Sequence, residues 1–470
     1  MKLIEALRYS LPSSLAFVGA GGKTTALFRS ARELLTEIQD DGLNKTVLVT
    51  TTTHIGAWQL GKADHHFIVN SASEFVKLEE ELPAGVVLLT GEEKYNLLGG
   101  LSPGLLDKVR AFAEDHKIHL LIEADGSHAC PLKAPAEHEP AIPDFTQNVI
   151  VVAGLMGLGK PLTKKWVNRP EKFAELSGLQ IGEEVTSDAL VKVLINRYGG
   201  LKNIPSDARR SILLNQADTA ECQSKAKTIS EQLISNYHSI IIASLAGDNT
   251  EIPSQANQIR DLQKGIHAVI EPIGGVILAA GGSSRLGEPK QLLLWKGQPL
   301  IRHVAIAALK AGLTPVVVVV GSSAEEVQSS INDLPLRIVI NSEWDTGLSS
   351  SIKRGIALLP KEIGGAVFLQ ADQPQIPPLL IKSLVEAHQT TLSPIVAPQI
   401  DGQRGNPVLF DSSTFSKLLS LEGDLGGRGL FGRLPVHWVT WHDPNLLLDI
   451  DTPKDYQKFL GLYSEGEGKA

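Results

Sequence analysis

Residues 275–290 couple an apolar stretch to a glycine- and serine-rich turn and then to two cations. The stretch ends at Ala280 and runs into Gly281, Gly282, Ser283 and Ser284, followed by Arg285, Gly287 and Lys290. Glycines let backbone N–H groups close around a polyphosphate without Cβ collisions. Arg285 and Lys290 would then balance the charge of β- and γ-phosphates departing as pyrophosphate. A tight strand–helix turn with two surface cations accounts for a glycine pair, but not for the whole ordered run. A second phosphate pattern lies near the start of the chain, where Gly19, Gly21 and Gly22 precede Lys23, Thr24 and Thr25. Lys23 would reach β- and γ-phosphates and Thr24 would ligate Mg²⁺, although Phe17 stands where the usual spacing wants glycine. Downstream, the apolar run 119–122 leads to Glu123 and Asp125, and residues 212–214 lead into Asn215-Gln-Ala-Asp218. The latter differs from the guanine-reading Asn-Lys-x-Asp by Gln216 in place of Lys. Taken singly these are a helix cap, a strand-end carboxylate and an Asx-turn. Taken in this order, each after an apolar run, they point to a nucleotide site.

Such residues need sheet edges to hold them. Short apolar runs at 47–50, 86–89, 120–123, 149–152 and 212–214 alternate with helix-length segments, and 276–279, 316–320, 338–340, 366–369 and 395–397 repeat the pattern. Continuous apolar strands separated by helices predict parallel sheets covered on both faces, an α/β fold. Open sheets of this kind bind ligands at the carboxyl ends of their strands, and Asp372 falls there, just after 366–370. There is no internal repeat. The polar stretch from Ser254 to about Pro272 predicts a joint, giving a first domain at 1–255, a linker at 256–272, a second domain at 273–462 and a frayed tail at 463–470. With 470 residues and 50.5 kDa the chain has room for about two to four domains. Hydrophobic residues at 43% and charged ones at 20% exclude disorder and fibrous repeats. Lys plus Arg number 44 against 52 Asp plus Glu, a net charge of −8, so no nucleic-acid partner is expected. Cys130 and Cys222 alone make neither a disulfide framework nor a closed zinc site. No apolar run approaches the ~20 residues of a membrane helix, and Lys2, Glu5 and Arg8 precede the first apolar run, unlike a signal peptide. A cytoplasmic protein without a membrane partner is the expectation.

Residues 278–290 resemble the nucleotidyltransferases, and in particular their molybdenum cofactor cytidylyltransferase (MocA-like) branch. That family's pattern is Leu-Ala-Ala-Gly, a variable Ser/Gly loop, Arg-Met/Leu-Gly and then Lys. The resemblance continues through 341–350, 371–374, 402–408 and 449–453, covering about 274–460; Gln373 stands where the family often has Met. It implies a Rossmann-like, GT-A-like nucleotidyltransferase domain that takes CTP and Mo-molybdopterin, uses Mg²⁺, and transfers CMP to the molybdopterin phosphate with release of pyrophosphate. On these positions fall Arg285, Lys290 and Asp372 as catalytic residues. Ala280, Gly281, Gly282, Ser283, Ser284, Gly347, Ser349 and Ser350 fall on the nucleotide. Arg404, Asn406, Asp424 and Arg428 look like contacts to the substrate phosphate or pterin. Asp449 and Asp451, two apart, would point the same way on a strand and share a cation with Asp372. Asp372 could instead open a turn, as Asp-x-Pro often does, and Ser349 or Ser350 could cap a helix beginning near Ser351.

The first domain resembles the YqeC-like proteins, accessory factors of selenium-dependent or molybdenum hydroxylases. The matching segments are 18–25, 50–54, 123–127, 131–135, 137–140 and 215–218, within about 10–245. The order of its own motifs predicts a P-loop-like parallel-sheet domain that takes GTP or ATP, and the resemblance implies a molybdenum hydroxylase apoenzyme as recipient of the finished cofactor. Asp218 is suited to accept hydrogen bonds from guanine N1–H and its exocyclic amine, which favours GTP. His54, His128 and His138 with Glu137 and Glu139 lack metal-ligand spacing and read as polar supports; Cys130 reads as buried and inert. Two nucleotide-handling domains on one chain raise each other's effective concentration, which suits the passing on of a scarce cofactor. Three functions remain: a cytidylyltransferase, a transferase for another phosphorylated substrate, and a non-catalytic delivery factor.

Overall fold

The computed structural model describes residues 1–9, 13–37, 45–80, 82–245, 265–282 and 286–464. The chain divides into two compact units, Met1–Ile270 and Glu271–Ala470.

In the first unit, among the described residues, nine strands form one sheet: β1 (Ser14–Gly19), β2 (Thr46–Thr51), β3 (His65–Ile68), β4 (Gly85–Thr90), β5 (His119–Glu123), β6 (Asn148–Gly154), β7 (Arg209–Asn215), β8 (Ser239–Ser244) and β9 (Gly265–Ile270). Their order is β9-β8-β7-β6-β1-β5-β2-β4-β3. All pairs are parallel except β8–β9. The central strands are buried on both faces, as their unbroken Val/Ile/Leu runs require. The helix Lys23–Glu37 lays Leu27, Ala31 and Leu34 on the sheet, a stripe at helical spacing. Parallel pairing brings the ends of β1, β5, β6 and β7 to one edge, so the Gly19–Thr25 turn, Glu123, Asp125 and Asn215 meet there.

The expected joint needs correction at its end. Residues 265–270, assigned to the linker, form β9, whose Ala268 and Val269 are buried against β8. Polar composition marks 254–264, but the apolar residues that follow finish the first sheet. At the other end the helix Pro453–Ser464 runs into the expected tail.

In the second unit, among the described residues, eight strands form the sheet: β10 (Ile273–Ala279), β11 (Val316–Val320), β12 (Arg337–Ile340), β13 (Gly365–Gln370), β14 (Ile395–Ile400), β15 (Gln403–Arg404), β16 (Val408–Asp411) and β17 (Val436–Thr440). The order is β12-β11-β10-β13-β16-β14-β15, with β17 pairing β14. β10 to β13 are mutually parallel, and β16 is antiparallel between β13 and β14. This makes a mixed open α/β sheet with separate cores on its two faces. The carboxyl ends of β10, β11, β12 and β13 deliver residues 280–282, 286–290, 321–323, 341–347 and 371–377 to one edge. β14 runs parallel to β13, so the β14–β15 hairpin carries Arg404 to that edge too.

Candidate active site

The edge of the second unit is built around Lys290. Its Nζ forms an ion pair with Asp372 Oδ2 and stands 3.3 Å from Asp451 Oδ1. Asp372 is buried at 5% exposure, whereas the Asp451 side chain is half exposed. Burial works against the charge of Lys290, but the two carboxylates outweigh it and hold its pKa above the usual lysine value. Asp449 accepts a hydrogen bond from Gln373 Nε2 at 2.7 Å. Burial, then the charges of Asp372 and Asp451, raise the Asp449 pKa against the pull of that hydrogen bond. Asp449 and Asp451 do not lie on a strand, contrary to expectation. They sit in the connection between the short helical turn Pro444–Leu447 and the helix Pro453–Ser464. The alternation still holds, because fully buried Ile450 anchors the segment and turns its neighbours outward. Gln375 fastens the same segment, its Nε2 donating to Leu448 O at 2.9 Å.

The glycine turn is held by a residue that sequence reasoning missed. Gln291 is 2% exposed, and its Nε2 donates to Ala279 O and Gly281 O, both at 2.9 Å. Its position directly after Lys290 was the available signal. Gly282 lies against Trp344, where a Cβ would come within 2.9 Å of the indole ring. Ser283, Ser284 and Arg285 lie outside the described residues.

Gly347 precedes the helix Leu348–Ala357, three residues earlier than the expected start near Ser351. At Gly347, φ is 118° and a Cβ would stand 2.4 Å from the Gly423 carbonyl carbon. Ser350 Oγ donates to Gly347 O at 2.8 Å and accepts from Asn341 Nδ2 at 2.8 Å, so its hydroxyl shapes the helix start. Ser349 is buried beside it. Asp424, expected at the substrate, directs Oδ1 to Leu348 N at 3.2 Å, capping the helix. Asn406 precedes a cis peptide bond to Pro407 at the entry to β16. Arg404 stacks on Phe431 with its Cζ 4.6 Å from the ring centre, and burial followed by the charge of Arg428 lowers its pKa.

In the first unit the turn between β1 and the helix Lys23–Glu37 spans only Ala20, Gly21 and Gly22, because Phe17 continues the strand opposite Ile150. Gly19, Gly21 and Gly22 all have positive φ. Lys23 is 3% exposed; its Nζ donates to Gly19 O at 2.8 Å and pairs with Asp125 Oδ1 at 3.2 Å. Thr24 Oγ1 donates to Glu123 Oε2 at 2.9 Å, while Thr25 is half-buried on the helix. Burial raises the Glu123 pKa against the opposing pull of Lys23 and Thr24. Lys133, buried and unforeseen, joins Asp125 at 2.8 Å to Glu139 at 2.6 Å, and Glu139 accepts both ends of the Arg169 fork. Asn215 ties the end of β7 to the turn, donating to Gly21 O at 2.8 Å and accepting from Leu245 N at 2.9 Å. Asp218 is half-buried and acts electrostatically on His267 of β9. Cys130 is buried and its thiol pKa is raised by burial.

Among the described residues no three His, Cys, Asp or Glu side chains form a metal-holding group, and no helix is long and apolar enough to cross a membrane.

A family model described as a MobA-like NTP transferase domain matches residues 275–438, and one described as YqeC protein matches residues 15–171. The uncharacterized protein YqeC of Escherichia coli (strain K12) is 34% identical over 212 residues, 45% of this chain and 78% of its own. The nicotine blue oxidoreductase of Paenarthrobacter nicotinovorans is 31% identical over 198 residues, 40% of this chain and 96% of its own. Among solved structures, that of Rv0371C in complex with manganese, from Mycobacterium tuberculosis H37Rv, shares 27% identity. It covers 40% of this chain and 98% of its own, with a TM-score of 0.37.

Proposed function

Since this chain belongs to the YqeC family through its first unit and to the MobA-like NTP transferases through its second, we propose that it is a molybdenum cofactor cytidylyltransferase joined to a nucleotide-binding accessory domain. The second unit is a nucleotidyltransferase. Its substrates in this proposal are CTP and Mo-molybdopterin, and the finished cofactor passes to a molybdenum hydroxylase apoenzyme. The observation that carries the reading is Lys290 held between Asp372 and Asp451 at the carboxyl edge of an open sheet, beside the Gly281–Gly282 turn. Two hard oxygen donors converging on one cationic centre fit Mg²⁺, which is commonly bound by one or two carboxylates together with substrate phosphates. Asp372 and Asp451 would hold the ion, with Asp449 beside them. When bound, it supplies charge neutralisation at the reacting phosphates. The chain's own part is positioning. Gln291 fixes the turn whose N–H groups face the triphosphate, Lys290 and Arg285 balance the departing pyrophosphate, and Gly347 with the Ser349–Ser350 helix start admits the nucleoside. An oxygen of the acceptor phosphate bonds to the α-phosphorus, the α–β phosphoanhydride breaks, and pyrophosphate leaves with the bonding electron pair.

Asp372→Asn keeps shape while removing charge. Pyrophosphate release should fall on the order of 10²-fold or more, as when a preorganised charge partner is lost, with the circular dichroism spectrum unchanged. Near-native release by this variant would remove Asp372 from the mechanism. In the first unit, the turn bearing Lys23 and Thr24, with Glu123 and Asp125 below it, supports a second nucleoside triphosphate site. Asp218 favours GTP over ATP there.

A further inference from the structure

The carboxyl edge of the first unit holds its inner cations on carboxylates. Lys23 lies 3.2 Å from Asp125 and 3.9 Å from Glu123, Lys133 joins Asp125 to Glu139, and Arg169 forks onto Glu139. Three cations thus face three carboxylates, so these pairs offer a polyphosphate at the Gly19–Gly22 turn no surplus positive charge. That surplus stands beside the turn. Residues 145–170 contain no Asp or Glu, in a chain of net charge −8, yet include Lys160, Lys164 and Lys165. All three lysines are exposed. Lys160 Nζ and Lys165 Nζ each lie 5.2 Å from the centre of the Trp166 ring, within cation–π reach. Among the described residues no carboxylate forms an ion pair with any of the three. Two ammonium groups gathered on one indole repel each other, and an anion between them turns that repulsion into attraction.

Contacts along residues 130–132 fix this group next to the glycine turn. Pro131 O accepts from Gly154 N at 2.9 Å, and a Cβ on Gly21 would come within 2.7 Å of the same oxygen. On either side of Pro131, Cys130 Sγ donates to Lys164 O at 3.4 Å and Leu132 N donates to Trp166 O at 3.3 Å. Val167 then pairs with Leu132 in a short parallel ladder. Exposed lysine stems are long enough to carry their charge over a ligand seated beside them. We propose that Lys160, Lys164 and Lys165 form a cationic lip that binds the β- and γ-phosphates of the first unit's nucleoside triphosphate. The lip supplies the charge that the buried pairs hold on carboxylates. The proposal rests on the reading of the first unit as a nucleotide site and refines it.

The test titrates the full chain with GTP, ATP and inorganic tripolyphosphate while following tryptophan fluorescence. The difference between wild type and Trp166→Phe isolates the Trp166 signal, which should change as phosphates draw the two ammonium groups off the ring. Lys160→Gln, Lys164→Gln and Lys165→Gln should each weaken binding roughly fivefold, the upper range of an exposed charge contact, and all three together about 100-fold. Raising the salt should weaken wild-type binding more than that of the triple variant, since exposed charges are screened. CTP-dependent pyrophosphate release by the second unit should be unchanged in all of them. A Trp166 signal that answers to none of the three ligands would overturn the lip. Nucleotide binding that is lost in Lys23→Met and Thr24→Val but untouched in the triple lysine variant would keep the nucleotide site and remove the lip. Failure of the nucleotide reading has a different mark: GTP and ATP bind no more tightly than tripolyphosphate, through the lysines alone and regardless of Lys23 and Thr24. That result would overturn the assignment of the lip to a nucleotide.

Discussion

Lys290 and Lys23 are both held by carboxylates at a strand-end turn, but their surroundings differ. The Lys290 side chain is 24% exposed and one partner, Asp451, faces solvent, whereas the side chains of Lys23 and Asp125 are each 2% exposed. A buried pair loses little net stability when both partners go, but much when one is left alone. Lys23→Met should therefore lower the stability of the first unit by about 3 kcal/mol, since Asp125 and Glu123 are then left with Lys133 among the described cations that act on both; a urea midpoint shift of that size checks it. Lys23→Met combined with Asp125→Leu should recover part of the loss. The types and places of these lysines could be read from their glycine-rich surroundings. Lys133 and Asn341 could not, because their work is to bind side chains that only the folded chain brings near, and Gln291 was marked only by its place after Lys290.

At the scale of elements, the start of the helix Leu348–Ala357 joins two distant segments. Gly347 packs on Gly423, and Asp424 caps Leu348. Gly347→Ala must strain a left-handed φ of 118° and push a methyl group into the Gly423 backbone. A cost of about 1–3 kcal/mol is expected, together with weaker nucleotide binding; unchanged thermal unfolding and CTP affinity would show that this contact does not shape the site. The apolar runs that predict strands all form strands, because parallel strands buried on both faces leave an unbroken hydrophobic record. β9 escaped that record because its neighbour, 254–264, is polar and set the boundary. The Asp449–Asp451 segment has the alternation of a strand without a partner to pair with, so its spacing predicts direction correctly and secondary structure wrongly. Asp424 reads as a substrate contact from sequence because a capping partner 76 residues away leaves no local trace.

At the scale of the molecule, the two compact units predict separable functions. Pyrophosphate release by the second should survive Lys23→Met, which alters only the first. The first unit also carries a pH dependence of its own. His119 accepts or donates a 3.0 Å hydrogen bond with Tyr9, and burial lowers its pKa to about 4. The unfolded chain takes up that proton near pH 6.5 and the folded one only near 4, so stability present above pH 6.5 is lost as pH falls through this window. Fully developed, the loss approaches about 3 kcal/mol. His119→Gln should flatten this part of the stability curve, and a variant with the wild-type slope would assign it elsewhere. The central claim, transfer of a nucleotide from CTP to a molybdopterin phosphate, is tested by pyrophosphate release from CTP, GTP and ATP, each with and without molybdenum-loaded molybdopterin. The account predicts release with CTP that requires the acceptor and is far slower with GTP or ATP; release that favours GTP or ATP, or that ignores the acceptor, would contradict it.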